Sequence, residues 1–515
     1  MRFYVVLVLL VHIHSSGRCA DVVLPRDAGC IDVREKFGAL GDGVADDSVA
    51  IQKALDSVPE RGIIYFPTGS YRITRSLNLP RGAILQGRNR ETTVLKLEDH
   101  FAAFTDAKMP QALLTAGSAL SQSVLIFNLA LDCGRENPGA VGIDFAAQSG
   151  AIDDAAIRST DGAGHAGLDF TRTSPGACWV KNVRIDGFEN GIRAEHGGQN
   201  LTIEGLTLAS QKSAGVFSRG NALAIRQLVS RNAIPALEAG AGGGSVTLID
   251  AELSGGGPHC AIVCNEPFRA LNVSSSGYPS VLKHMGETLD HINLTDYRGR
   301  DGDKVPPPEA GSPLDGSPEE TPQIPPDNVE NWSNVNAFAD RVKDGDWAPS
   351  LQAAIDSGRT TLYLPTNFEC RIRQTVHLRG KVRRIVGMLS SIRGDPADFA
   401  DKPMFHVVTD GHDPIALEQL EILSTDAKKS VISLDLARPG PVVLRHCVLS
   451  VVTNAPGCGP LFMENVTAAF RLTHPQKIFA HTLFVRELTG ITESAALWWI
   501  LGRPPVLTPA SPPLK

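Results

Sequence analysis

The chain has 515 residues, of which 42% are apolar and 20% charged, so it is too long for one ordinary hydrophobic core and too apolar for disorder. Its net charge of −7 is spread without a long basic run, which excludes nucleic acid as a partner. No apolar run is long enough to cross a bilayer, so no membrane association is expected.

In chain order, Arg2, the apolar stretch Phe3 to Ile13 and Ser15-Ser16-Gly17 read as a secretory signal, residues 1–20, with cleavage near Gly17 or Ala20. This implies export, to the outside or to a periplasm. A first module then runs over residues 21–300. It opens with Phe37-Gly38-Ala39-Leu40-Gly41-Asp42-Gly43-Val44-Ala45-Asp46-Asp47-Ser48, after which Ala50, Ile51, Ala54, Leu55 and Val58 make a helical apolar stripe. An acidic loop at that place is an N-cap, Asp46 or Asp47 accepting free amide protons of the first turn, rather than a metal loop.

Within the module, Gly142-Ile143-Asp144-Phe145, Gly167-Leu168-Asp169-Phe170, Gly191-Ile192-Arg193-Ala194 and Gly215-Val216-Phe217-Ser218 begin 25, 24 and 24 residues apart. A second strand beats in step at Val180, Ile203, Ile225 and Leu248. Two phase-locked short strands per unit, with Gly and Asn turns, predict a coil whose rungs share one core, about six or seven of them between Val124 and Leu282.

Residues 301–330 are Pro-rich without apolar periodicity and read as a linker. A second, shorter module follows over residues 331–502, and a Pro-rich tail over 503–515. Its opening repeats the first: Ser350-Leu351-Gln352-Ala353-Ala354-Ile355-Asp356-Ser357 answers Ala50 to Ser57 at an offset of 300, and Thr361-Leu362-Tyr363-Leu364-Pro365 answers Ile63 to Pro67. Asp346 keeps the capping position while Trp347 replaces the second Asp. The fold class expected is all-β: two tandem right-handed parallel β-helices, each opened by a short capping helix. Nine cysteines show no repeated spacing and read as buried thiols; four residues along a strand hold Cys260 and Cys264 about 13 Å apart, beyond disulfide reach.

The stretch Phe37 to Ser48, with Tyr65-Phe66-Pro67 and Gly69-Ser70-Tyr71, resembles the opening signature of the pectate lyase superfamily, which includes rhamnogalacturonase- and epimerase-like β-helix proteins. The resemblance implies that the signature helix caps the open end of a β-helix. Its duplication resembles the twin β-helix arrangement of glycoside hydrolase family 55, which implies action on polysaccharide. The Asn-Thr-Asp, Gly-Asp-Asp, Gly-His-Gly and Arg-Ile-Lys blocks of polygalacturonase-type hydrolases do not occur in order, so the resemblance carries fold and no catalytic residue.

Candidate chemistry comes from the rung register. Alternation sends Ile143, Phe145, Leu168 and Phe170 to one face and Asp144 and Asp169 to the other. Neighbouring rungs lie about 4.8 Å apart, so the two carboxylates stack with Arg193 next in the column. Such spacing suits a retaining glycosidase pair, Asp144 and Asp169 being catalytic and Arg193 binding substrate or holding Asp169 ionised; it also suits a solvated ion ladder. His165, His196 and Gln199, in nearby loops, and Trp179, at a strand head, are the remaining candidate sugar-binding residues. In the second module Glu418, Glu421 and Glu464 lie nearest the strand motifs, and Glu464 is taken as the third catalytic candidate. The expectation is a monomeric glycoside hydrolase with a polysaccharide substrate and no cofactor or metal. Its alternatives are a Ca²⁺-dependent polysaccharide lyase and a non-catalytic carbohydrate-binding solenoid.

Overall fold

The computed structural model describes residues 21–58, 61–117, 124–146, 150–172, 177–198, 200–289, 291–299, 319–325, 327–409, 411–474, 476–480, 483–489 and 497–499. Residues 1–20, most of 301–330 and 503–515 lie outside the described residues. In the first module the strands Leu77–Leu79, Gln111–Ala116, Ala140–Phe145, Ala166–Asp169, Asn190–Ala194, Ala214–Arg219, Leu237–Gly240, Ile262–Cys264 and Leu282–His284 stack in parallel, and Glu287–Thr288 closes this ten-stranded sheet antiparallel. A 17-stranded sheet forms the rest of the coil. Its last strand, Asn293–Gly299, also turns antiparallel, against Phe268–Ser276, and so covers the final rung. The second module is one 15-stranded sheet.

Each coil is filled by its own apolar core, one from Val33 to Leu294 and one from Val335 to Ala480. Alternation works as expected: Ile143, Phe145, Leu168 and Phe170 are inside, while Asp144 faces out. The repeated glycines have a steric cause. A Cβ on Gly142, Gly167, Gly191 or Gly215 would come 2.5–2.8 Å from the carbonyl oxygen of the next rung. Gly191→Ala is therefore expected to destabilise the chain by about 1–3 kcal/mol, read as a lower thermal midpoint.

Between the two faces of the 17-stranded sheet the chain bends at a left-handed residue in successive rungs from Asn128 onward: Asn128, Asp154, Asn182, Gln227, Asp250 and Asn272 have φ of 49–56°, and Gly205 has 66°. Asn and Asp tolerate that conformation at least cost, which is why they punctuate the sequence. In the second module Gln419, His446 and Asn465 hold the same bend.

The duplicated opening motif closes the sheet edge. Helix Ser48–Asp56 lays Ile51, Ala54 and Leu55 on the first rung, and helix Ala348–Asp356 does so with Leu351, Ala354 and Ile355. Gln52 Nε2 donates to the Asn78 carbonyl (3.1 Å) and its Oε1 accepts from the Asn78 amide (2.9 Å), so the side chain acts as one more peptide unit of the edge strand. Gln352 repeats this on His377 at 3.2 and 2.8 Å. The acidic pair divides its work. Asp46 accepts from Ser48 N (3.0 Å) in the first turn, whereas Asp47 accepts from Leu40 N and Gly41 N (2.6 and 2.9 Å) and braces the loop. Asp346 caps Ala348 N at 2.9 Å. All eight described cysteines are free thiols, Cys260 and Cys264 included.

Candidate functional site

Asp144 and Asp169 are register partners on adjacent parallel strands, and Asp169 is in turn the partner of Arg193. The two carboxylates therefore sit side by side on the outer face of the ten-stranded sheet, about 4.8 Å of rung spacing apart. Their surroundings differ. Asp144 Oδ2 accepts from Arg172 Nε at 2.7 Å, while its Oδ1 is buried and has no hydrogen-bond partner among the described residues. Burial raises the Asp144 pKa, Asp169 adds repulsion, and Arg172 only partly opposes them. Asp169 Oδ1 accepts from Thr171 N at 2.7 Å, and Arg193 Nη1 stands 4.0 Å from its Oδ2.

Arg193 is held by two further groups, His165 Nε2 and Glu195. Burial and the adjacent guanidinium lower the His165 pKa, which leaves a neutral ring that accepts from Arg193. Of the other expected sugar contacts, His196 is exposed at the end of this strand, and Gln199 lies outside the described residues. Arg172 and Glu195 were not expected. Arg172 reaches back one rung to Asp144 and two to the carbonyls of Ala116 and Gly117, to which it donates at 3.2 and 3.1 Å. Only its place three residues after Asp169 hints at this in the sequence.

Trp179 and Glu464 are not groove residues. Both lie where the two coils pack together. Trp179 is 1% exposed, in a cluster with Ile63, Phe127, Tyr363, Val386 and Met388 that joins the modules. Its ring is 5.5 Å from that of His446, with Lys181 Nζ 5.1 Å from its centroid. No sugar ring can stack on it. Glu464 is fully enclosed and accepts from Lys181 Nζ (2.6 Å), Arg445 Nε (2.5 Å) and Thr321 Oγ1 (2.7 Å). These partners make it a structural anion of the interface. The other two second-module carboxylates also go to ion pairs: Glu418 with Arg384 and Arg445, and Glu421 with Arg61 of the first module at 2.8 Å.

The register explains this chemistry. Asp153, Lys181, Glu204 and Arg226 are successive partners on the first module, facing Glu418, Arg445 and Glu464 on the second. Beside these ladders is a cleft of about 1050 Å³ lined by Arg90, Asp153, Asp154, Asn182, Arg384 and His446, among others. Burial and Asp154 raise the Asp153 pKa to about 7, and burial lowers that of His446 to about 4. A carboxyl whose folded pKa exceeds its unfolded value favours the native state at low pH and loses that contribution as pH rises from about 4 to 7. His446 does the reverse, costing stability as pH falls from about 6.5 to 4. Asp153→Asn is accordingly expected to raise the thermal midpoint by a few degrees at pH 8 and to leave it nearly unchanged at pH 4.

The second module carries a column at corresponding rungs: His377, His406, Asp435 and Thr453 are successive register partners. His406 Nε2 lies 3.3 Å from Asp435 Oδ2, and Thr453 donates to Asp435 Oδ1 at 2.8 Å. Among the described residues no three His, Cys, Asp or Glu side chains are grouped to hold a metal ion.

Residues 30–238 match the family described as rhamnogalacturonase A/epimerase, pectate lyase-like. Mannuronan C5-epimerase AlgE4 of Azotobacter vinelandii is 34% identical over 110 residues, 20% of this chain and 19% of that protein. The pre-neck appendage protein of Bacillus phage phi29 is 26% identical over 215 residues, 36% of this chain and 24% of that protein. The chain thus matches a quarter or less of either relative's length. Among solved structures, the catalytic unit of the GH87 alpha-1,3-glucanase from Streptomyces thermodiastaticus aligns over 90% of this chain and 72% of its own, at 14% identity and a TM-score of 0.36. Residues 30–238 of the first coil thus match the model of the rhamnogalacturonase A/epimerase, pectate lyase-like family, and the opening stretch Phe37 to Ser48 lies within the matched residues.

Proposed function

We propose that this chain is an exported, monomeric polysaccharide-acting enzyme that hydrolyses glycosidic bonds at the Asp144 and Asp169 column. The supporting observation is a registered pair of carboxylates in unlike environments. Asp144, its pKa raised by burial, is the acid that protonates the leaving glycosidic oxygen. Asp169 attacks the anomeric carbon as that bond breaks, because a separation near 5 Å leaves no room for an intervening water. Water then attacks the glycosyl-enzyme carbon, Asp144 takes its proton, and Asp169 leaves as carboxylate. Arg193 sets a cation beside the Asp169 carboxylate, and His165 and Glu195 fix its guanidinium. A Ca²⁺-dependent lyase is less well supported, since Ca²⁺ takes six to eight oxygens and here two carboxylates are flanked by two guanidiniums.

The test is a panel of β-1,3-glucan, polygalacturonan and rhamnogalacturonan, following both reducing ends and the ultraviolet absorbance of an unsaturated product. Reducing ends without absorbance support hydrolysis. Absorbance appearing in step with cleavage would replace hydrolase by lyase, and sugar binding without cleavage of any member would leave a binding solenoid.

A further inference from the structure

The two modules repeat each other closely enough for one to serve as a control for the other, and they differ in the anion beside one pair of cations. In the first module Asp46 pairs with Arg72, which registers against Lys96 on the next strand. In the second, Asp346 is the backbone register partner of Arg371, which registers against Arg393. Both modules thus place two like charges side by side, an arrangement that costs energy unless an anion relieves it.

The first module supplies that anion. Glu98, two residues after Lys96, binds Arg72 Nη2 at 2.7 Å. The second does not. Asp395, two residues after Arg393, turns instead to the amide of Ala397 at 2.9 Å. Among the described residues Arg371 has no ion pair. Arg393 stands 3.7 Å from Glu421, a carboxylate already bound to Arg61 at 2.8 Å.

Arg371 and Arg393 open onto a pocket of about 410 Å³ that Trp347, Glu369, Gly345 and Thr425 also line. Trp347 is the residue that replaces Asp47 of the first module, so a loop-bracing carboxylate has given way to an aromatic ring. Phe368 holds that ring edge to face at a centroid distance of 4.9 Å. A half-buried, fixed indole beside two guanidiniums is suited to a ring that is apolar on its face and anionic at its rim. Glu369 and Thr425 add an acceptor and a hydroxyl for ring hydroxyls.

We propose that this pocket is a binding subsite for an acidic sugar, a hexuronate residue whose ring stacks on Trp347 and whose carboxylate is taken by Arg371 with Arg393. It is on the second module, apart from the Asp144 column, and stands whether or not that column is catalytic.

The test is calorimetric titration of the full chain with galacturonate trisaccharide and, as the neutral probe, galactose trisaccharide. The acidic probe should bind saturably and at least tenfold tighter than the neutral one, with affinity falling as salt is added. Arg371→Gln and Trp347→Ala should each weaken it at least tenfold, and Arg371→Lys, which keeps charge but loses the planar fork, should fall between. Arg371 is exposed, so its variants should melt as the parent does, and Trp347→Phe keeps an aromatic face should the alanine variant fail to fold. Equal affinity for the two probes overturns the proposal. So does no binding of either, or acidic-probe binding unaffected by Arg371→Gln.

Discussion

Asp144→Asn should lower kcat by about 10²–10⁴-fold on whichever polysaccharide the wild type cleaves, with a much smaller change in KM. The amide keeps the shape and the contact to Arg172 but has no proton to deliver. The pH dependence separates this from a merely structural role. An acid must be protonated, so the rate should fall on the alkaline side as Asp144 ionises, at a pH above the ordinary carboxylate range because burial outweighs its partner. Arg172 Nε, at 2.7 Å, is what pulls that pKa down. Arg172→Gln should therefore move the alkaline limb to higher pH, a shift opposite to that expected from simple loss of order. A profile left in place by Arg172→Gln would sink the assignment of Asp144 as the acid.

Glu464→Ala should cost about 3–5 kcal/mol, because it strips an interior ion cluster of its central anion and takes from Lys181 and Arg445 their closest carboxylate. Burial alone would push the Lys181 pKa down, and Glu464, Glu204 and Asp153 more than reverse it. Without Glu464 the ammonium keeps the desolvation and loses its largest support. The readout is the thermal or denaturant midpoint, with activity at the Asp144 column measured below it. Loss of stability with the rate constant preserved is the expected pattern, since Glu464 pairs across the module interface with Lys181 and the column occupies another sheet. A large fall in kcat at full stability would return Glu464 to the catalytic set.

The fold was legible because a coil repeats its physics. Gly142, Gly167 and Gly191 recur for want of space above the next carbonyl, and Ile143 and Leu168 recur because each rung buries the same position. The Asp144 and Asp169 register followed from that beat alone. What pairs across the repeat was not legible. Arg172 acts through a long side chain that reaches a neighbouring rung, and periodicity says nothing about reach. Trp179 and Glu464 were misplaced for a related reason. Their strands were recognised, but which outward face of a coil meets solvent and which meets a second coil depends on docking, and no local pattern encodes that. The alternating ladder Asp153, Lys181, Glu204, Arg226 carries the trace of it, as charges spaced one rung apart in chain segments that are far apart in number.

Gln52 and Gln352 have a consequence for how such a chain can change in length. Each amide occupies both outward hydrogen-bonding positions of an edge strand at Asn78 or His377, so no further strand can be added at that edge. At the far end of the first module the reversed strands Glu287–Thr288 and Asn293–Gly299 do the same by direction. A solenoid stoppered at both ends gains or loses material only as whole interior coils, and a graft of one complete turn between the stoppers is the insertion it is built to accept.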